Sequence, residues 1–222
     1  MPGSSDSPSH YAEATLGAYR VYADQAKASW AARVHPSPFL KHFAAQLPAK
    51  ARVLDYGCGI GMDLDWLARQ GLRVQGVDGA SDFVEEARRR CPKARIVCAR
   101  FDQAKLEEAF WDAIWCAAAL IHVPPAEFVR QLAKLRQALK PGGILGLSLA
   151  WGRSKRFFSE DWIPGRYFAC YTKSEVRNYF KAWDLREIRV VSNKDRKGRW
   201  IQVLAMSSPC PPHFALSSSL RT

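Results

Sequence analysis

VLDYGCGIGMD, residues 53–63, contains the glycine-rich turn that decides the fold. The apolar residues before Asp55 are typical of a buried strand, and a helical pattern begins near Met62. Gly57, Gly59 and Gly61 therefore lie where a strand turns into a helix. Glycines at such a turn let the backbone bend tightly and approach a ligand closely.

Asp78 is the second part of this pattern. It closes the next predicted strand, 72–77, twenty-one residues after Gly57. A carboxylate there is well placed to accept hydrogen bonds from both hydroxyls of a ribose. The order of strand, glycines, helix, strand and acid predicts a ligand that contains adenosine with free hydroxyls.

Two residues distinguish the possible ligands. Met62 stands where the dinucleotide loop GxGxxG needs its third glycine. Asp55 precedes Gly57 by two residues, where its charge would lie close to a bound pyrophosphate. A carboxylate there suits a ligand with a cationic end, such as the amino group and sulfonium of S-adenosylmethionine. A nicotinamide dehydrogenase is therefore the weakest hypothesis.

Helix and strand patterns alternate outside this turn. Nearly continuous apolar runs predict further strands at 94–98, 112–120 and 144–150, with helices at 62–70, 81–90 and 125–139 between them. Segments 185–191 and 200–206 predict an antiparallel hairpin. Apolar strands separated by helices predict an α/β fold, a doubly wound and mostly parallel sheet with helices on both faces.

The domain organisation follows from length and composition. We expect tails at 1–10 and 207–222 and one domain at 11–206, since 222 residues suit a single core. That domain divides into N-terminal lid helices (11–50), a ligand-binding core (51–150) and a last part (151–206) with an irregular stretch, a helix and the hairpin.

Composition excludes several classes of protein. Hydrophobic residues make up 48% and charged residues 24%, as in globular proteins, and no apolar run is long enough for a membrane span. The first residues lack the features of a signal peptide, and the six cysteines lack zinc-ligand spacing. We expect a cytoplasmic protein with reduced thiols, no metal and no membrane partner. The net charge of +12 fits either a solvated surface or an anionic partner such as nucleic acid.

The chain resembles class I S-adenosylmethionine-dependent methyltransferases over residues 15–206. Asp55-x-Gly57-x-Gly59-x-Gly61 matches the first motif of that family, and Asp78 its ribose acid. WDAIWC (111–116) and LKPGG (139–143) are similar to its fourth-strand motif and to its turn before strand five. GCGIGMD, VDGAS and FWDAIWCAAALIHVP resemble the tellurite-resistance type of bacterial methyltransferase, although Met62 and Trp111 depart from that type. The resemblance implies a seven-stranded sheet with an antiparallel last strand.

The resemblance also implies a set of residues that hold S-adenosylmethionine. The expected cofactor-binding residues are Asp55, Gly57, Cys58, Gly59, Gly61, Asp78, Gly79, Ala80, Phe101 and Ala117.

Candidate catalytic and acceptor residues lie on three segments. His122 follows the fourth strand and is the first candidate for a base, the alternative being a structural histidine bonded to backbone. Tyr22 is the expected lid contact, although Tyr19 and Trp30 share its helix. Arg153, Arg166 and Tyr171 lie where the acceptor pocket is expected, with a solvent-facing or structural role as the alternative. A base is needed only if the nucleophile carries a proton of high pKa.

The leading hypothesis is methyl transfer by in-line displacement from S-adenosylmethionine to a small, possibly anionic acceptor. RNA or protein acceptors and a catalytically silent binding module are the alternatives. The sequence does not indicate an oligomeric state.

Overall fold

The computed structural model describes residues 8–193 and 198–208. Five parallel strands, adjacent in the order β3-β2-β1-β4-β5, form the centre of its sheet. They are β1 (Arg52–Tyr56), β2 (Arg73–Asp78), β3 (Arg95–Cys98), β4 (Trp111–Ala117) and β5 (Leu139–Trp151). Four further strands are β6 (Lys155–Phe157), β7 (Tyr167–Tyr171), β8 (Asp184–Asn193) and β9 (Gly198–Met206). β9 runs antiparallel to both β5 and β8.

Helices cover both faces of the sheet. They are α1 (Pro8–Val21), α2 (Ala23–Ala31), α3 (Pro38–Ala44), α4 (Met62–Arg69), α5 (Ser81–Arg90), α6 (Pro125–Ala138) and α7 (Lys173–Tyr179). Alternate residues of the strands face opposite sides: Val53 packs with α3 and α4, whereas Leu54 belongs to the cluster that holds α6 and α7. The predicted mostly parallel, doubly wound sheet with an antiparallel last strand is confirmed.

The stretch 151–171 differs from the prediction of an irregular segment. The seven strands that the resemblance implies are present as β3-β2-β1-β4-β5-β9-β8, and the described residues add two more. β6 pairs antiparallel with β7, and β7 joins the end of β5 through Trp151 and Tyr171. Such short strands are stabilised by pairing with distant residues, which local periodicity does not reveal.

The expected boundaries also change. Residues 8–10 belong to α1, so the predicted tail at 1–10 is wrong for these three residues. Ser207 is buried, and its backbone N–H donates to the Gly143 carbonyl, so it is not part of a tail. Residues 1–7, 194–197 and 209–222 lie outside the described residues, with most of the two predicted tails and the hairpin turn.

Candidate functional site

The glycine turn between β1 and α4 has the backbone that the sequence predicts. Gly57, Gly59 and Gly61 have φ of +90°, +51° and +77°. The N–H groups of Gly57 and Cys58 both donate to the carbonyl of Val77 at the end of β2, at 2.8 and 3.1 Å. A Cβ on Gly57 would lie 2.2 Å from the Ala119 Cβ, so this position excludes side chains even without a ligand.

Asp78 fastens this turn from the end of β2. Its Oδ2 accepts from the Gly59 N–H at 2.8 Å, and its Oδ1 accepts from the Ala80 N–H at 2.9 Å. Burial raises the pKa of Asp78, and the backbone donors oppose that shift. One carboxylate therefore holds two loops together and keeps its outer lone pairs for a ligand.

Asp55 is the most unusual group of the site. The residue is 2% exposed, and its Oδ2 has no hydrogen-bond partner among the residues that the structure describes. Burial raises the pKa of the Asp55 carboxyl well above its ordinary value, and the charges of Asp63 and Asp78 add to this shift. An unpaired buried carboxylate is costly, so this position is better explained by a ligand than by folding.

These residues border a cavity of about 290 Å³ at the carboxyl ends of β1, β2, β4 and β5. Of the expected cofactor residues, those that line it are Asp55, Gly57, Cys58, Gly59, Asp78, Gly79, Phe101 and Ala117. Gly61 and Ala80 do not line it. Gly61 instead allows α4 and α5 to approach closely, because its Cβ would lie 3.0 Å from Ala87.

Helices α1 and α2 cover one side of this cavity. Tyr19 and Trp30 line it and both pack against Phe83. Tyr22, the expected lid contact, stands at the break between the two helices and packs on the Tyr19 cluster without lining the cavity. The structure therefore places Tyr19, and not Tyr22, at the site.

His122 lines the cavity but has both ring nitrogens engaged. The Tyr167 carbonyl lies 2.8 Å from Nδ1, and a carbonyl can only accept, so Nδ1 carries the hydrogen. Nε2 then accepts from the Tyr19 hydroxyl at 2.8 Å. Burial, together with the Arg166 cation, lowers the pKa of His122 to about 3. This imidazole is neutral, and each of its two nitrogens forms a hydrogen bond. It therefore has the structural role that the sequence gives as the alternative to a base.

The three expected acceptor residues do not line the cavity. Arg153 is exposed, and Tyr171 is fully buried in the core against Phe128. Arg166 is 3% exposed and donates to the Tyr19 hydroxyl, to the Ile163 carbonyl and to Asp161. It therefore joins the loop after β6 to α1.

The other half of the cavity was not foreseen. We call it the acceptor half, and it lies between the start of α3 and the face of β5, β9 and β8. It is lined by Ser37, Phe39, Trp115, Ser148, Val191, Trp200 and Gln202. Ser148 and Gln202 are register partners on β5 and β9. Each is a polar residue inside an apolar strand, a signal that the sequence offered.

His35, between α2 and α3, is a further missed residue. Its Nε2 lies 2.9 Å from Asp63 Oδ1, and Asp63 Oδ2 accepts from Trp115 Nε1 at 2.7 Å. Both His35 and Asp63 line the cavity. They come from different elements, 28 residues apart, so no local motif announces the pair.

Comparison with known proteins identifies the fold. Residues 53–143 match the family model described as a methyltransferase domain. The ubiquinone biosynthesis O-methyltransferase of Xanthomonas axonopodis pv. citri is 39% identical over 147 residues, which cover 63% of this chain and 60% of that protein. The match to this chain spans 37% and 60% of the lengths of the first two curated relatives.

Two solved structures share the fold. The Burkholderia thailandensis 1,6-didemethyltoxoflavin-N1-methyltransferase, with bound S-adenosylhomocysteine, has a TM-score of 0.77 at 21% identity, covering 91% of each chain. A TehB-like S-adenosylmethionine-dependent methyltransferase from Corynebacterium glutamicum has a TM-score of 0.65 at 18% identity, covering 90% of this chain and 98% of that one. The chain thus shares the Rossmann-like fold of these two solved methyltransferases, and residues 53–143 are similar to a methyltransferase domain.

None of the described helices is long and apolar enough to cross a bilayer. No group of three or more potential metal ligands occurs among the same residues.

Proposed function

We propose that the chain binds S-adenosylmethionine and transfers its methyl group to a small molecule. The observation that carries the proposal is Asp55, a buried carboxylate with an unpaired oxygen beside a turn whose Gly57 and Gly59 border the cavity. The cationic end of S-adenosylmethionine supplies the partner that Asp55 lacks. In this proposal the carboxylate is retained for the ligand, at a cost to the ligand-free fold.

The remaining residues of that half of the cavity fit the other parts of this cofactor. Asp78 accepts from the ribose hydroxyls, and Gly79 and Phe101 border the adenosine. Arg33, which also lines the cavity, offers a cation to the methionine carboxylate. When bound, S-adenosylmethionine supplies an electrophilic methyl group on a sulfonium. The protein contributes position and exclusion of water, as an in-line displacement requires.

The acceptor that we propose is small and uncharged. The expectation of an anionic acceptor depended on Arg153 and Arg166. One is exposed and the other is bonded to Tyr19 and Asp161, and neither lines the cavity. The names of the Xanthomonas and Burkholderia proteins give small molecules as their substrates, which supports the class but not an identity. Because Met62 and Trp111 depart from the tellurite-resistance motifs, that role is not part of the proposal.

A cytoplasmic location belongs to the same proposal. Its support is that the five described cysteines are all free thiols, whereas disulfides are usual in oxidising compartments.

Titration calorimetry with S-adenosylmethionine, S-adenosylhomocysteine and NAD tests the cofactor. We expect about micromolar affinity for the two adenosyl ligands and no binding of NAD. Asp78→Ala should weaken binding about 10- to 100-fold, the range for hydrogen bonds to a charged group, whereas Asp82→Ala outside the cavity should not. No binding by a folded sample would reject the proposal.

Turnover separates the alternatives that remain. Release of S-adenosylhomocysteine in the presence of a small-molecule extract would support the proposed activity. Cofactor binding without turnover on any extract would indicate a silent binding module. Methylation of RNA or protein alone would replace the acceptor class.

A further inference from the structure

We propose that His35 is the general base for an acceptor with a phenol or enol hydroxyl, and that Asp63 is the residue that positions it. The inference rests on the proposed function and names the acceptor class of that site.

The hydrogen bonds of His35 determine its tautomer. A carboxylate only accepts, so the 2.9 Å contact with Asp63 Oδ1 places the ring hydrogen on Nε2. The lone pair is then on Nδ1, and His35 makes no other hydrogen bond within the described part of the chain. The side chain is 22% exposed and lines the cavity. A proton acceptor is thus held at the cavity wall.

Asp63 is itself fixed from below. Its second oxygen accepts from Trp115 Nε1 at 2.7 Å, and Trp115 is 1% exposed in the core under α3. The chain Trp115–Asp63–His35 therefore anchors the imidazole to the core. A carboxylate that orients an imidazole and stabilises its protonated form is the arrangement that general bases use.

His122, the first candidate for a base in the sequence, has both ring nitrogens in hydrogen bonds. Its Nδ1 donates to a carbonyl and its Nε2 accepts from Tyr19. To take a proton from an acceptor, His122 would first have to give up the bond to Tyr19. No such competitor for Nδ1 of His35 occurs in the described part of the chain.

The acceptor half indicates which molecule His35 serves. Its walls include the aromatic rings of Phe39, Trp115 and Trp200, and Ser148 and Gln202 are uncharged polar residues among them. Aromatic walls with a few hydrogen-bonding groups suit a planar, uncharged ring. A soft anion such as a thiolate needs no base, so a positioned base indicates a nucleophile that carries a proton.

The step balances without a further reactant. His35 Nδ1 takes the hydroxyl proton of the acceptor while the acceptor oxygen bonds to the methyl carbon. The bond from that carbon to sulfur breaks, and its electron pair stays on sulfur. The His35 imidazolium then passes its proton to water. Charged residues that line the same cavity as the His35 imidazolium include Asp63 from α4, Asp55 from β1 and Arg33 from the segment of His35 itself.

The tautomer can be tested without cofactor. Nitrogen NMR of ring-labelled protein should show His35 with a hydrogen on Nε2 and a bare Nδ1, and catechol should shift the Nδ1 signal. Asp63→Asn should alter the His35 tautomer balance. A His35 with hydrogen on Nδ1, or one that does not respond to catechol, would overturn the proposal.

Kinetics test the role itself. His35→Gln should lower kcat on catechol by about 100-fold or more, because the hydroxyl proton then has no acceptor at the cavity wall. Its affinity for S-adenosylmethionine should stay within about twofold, and transfer to benzenethiol should be unchanged. His42→Gln is the matched control, because His42 forms the same kind of contact, 2.9 Å to Glu187, outside the cavity.

The outcomes are distinct. A His35 variant that loses cofactor affinity together with rate would make His35 a cofactor ligand and overturn the proposal. So would a wild-type protein that binds S-adenosylmethionine but methylates neither catechol nor naphthol. Failure to bind S-adenosylmethionine at all would instead reject the proposed function.

Discussion

Asp55 shows at the scale of one residue how a ligand site costs stability. The carboxylate is buried, one oxygen is unpaired, and two nearby aspartates raise its pKa further. Between the ordinary pKa and the raised pKa the folded chain binds more protons than the unfolded chain. The free energy of unfolding therefore falls as pH rises through that window.

Asp55→Asn should consequently stabilise the ligand-free protein while weakening cofactor binding. We expect the free energy of unfolding to rise by about 1–3 kcal/mol at pH values above the raised pKa of Asp55, because a buried charge is replaced by a neutral amide. The gain should shrink as pH falls through the raised pKa of Asp55, where the wild-type carboxyl takes up its proton. Urea unfolding over this pH range measures both effects.

Asp112→Asn is the control of opposite sign. Burial acts to raise the pKa of Asp112, but its contacts with Lys140 and with the Arg52 N–H hold it below the ordinary value. Its contribution to stability is present at neutral pH and lost as pH falls. This variant should lose about 1 kcal/mol at neutral pH. If Asp55→Asn also lost stability at neutral pH, the buried Asp55 charge would not destabilise the ligand-free protein.

The residues that the sequence located and those that it missed differ in how they meet. Asp55, Gly57 and Asp78 belong to a pattern fixed by one strand-turn-helix unit, so spacing alone predicts them. His35 and Asp63 meet only after α3 and α4 pack on the same face of the sheet. The spacing of residues along the sequence does not reveal a contact of this kind.

At the scale of elements, α1 and α2, which cover the cavity, are hydrogen-bonded to the segment that follows β5. The Arg166 side chain bridges from the loop before β7 to Tyr19 of α1, and Thr15 Oγ1 accepts from the Tyr167 N–H. Gln25 of α2 donates to the Trp162 carbonyl. Closing the cavity therefore depends on two elements that are far apart in the sequence.

Arg166→Met should loosen this lid. We expect a loss of about 2–3 kcal/mol in the free energy of unfolding, because Asp161 and Tyr19 lose a buried cationic partner. Hydrogen exchange should quicken in α1 and β7 and stay slow in β1 and β4, and cofactor affinity should fall. Arg153→Met, from the exposed part of the same segment, should change stability by less than about 0.5 kcal/mol. Equal effects of the two variants would place Arg166 outside the lid contact.

The elements that the sequence predicted are those with their own periodicity. The five central strands and the closing hairpin are apolar enough to be recognised, and Thr172 with Glu175 forms the capping box that begins α7. β6 and β7 were missed although β7 is as long as β1, because these two segments are strands only through their partners.

At the scale of the whole molecule, the charge of the surface and the charge of the site differ. The chain has a net charge of +12, yet the cavity is lined by three aspartates and two arginines. Arg100, one of the two arginines, is paired with Asp102 and Glu13. A polyanion drawn to the surface would therefore meet a cavity that does not favour phosphate.

Salt dependence should separate surface from site. Single-stranded RNA captured by the surface should lose affinity with a slope of about −0.7 per phosphate contact on logarithmic axes. Cofactor affinity and methyl transfer to a small phenol should change by less than about twofold between about 50 and 200 mM salt, since neither depends on releasing many counterions. Fluorescence anisotropy of a labelled RNA and calorimetry with the cofactor, at the same salt concentrations, give the two slopes.

Labelled methyl groups should appear in the phenol and not in RNA. Methylated RNA whose yield falls tenfold over this range would show that the basic surface delivers the acceptor, because only then would counterion release set the rate of capture.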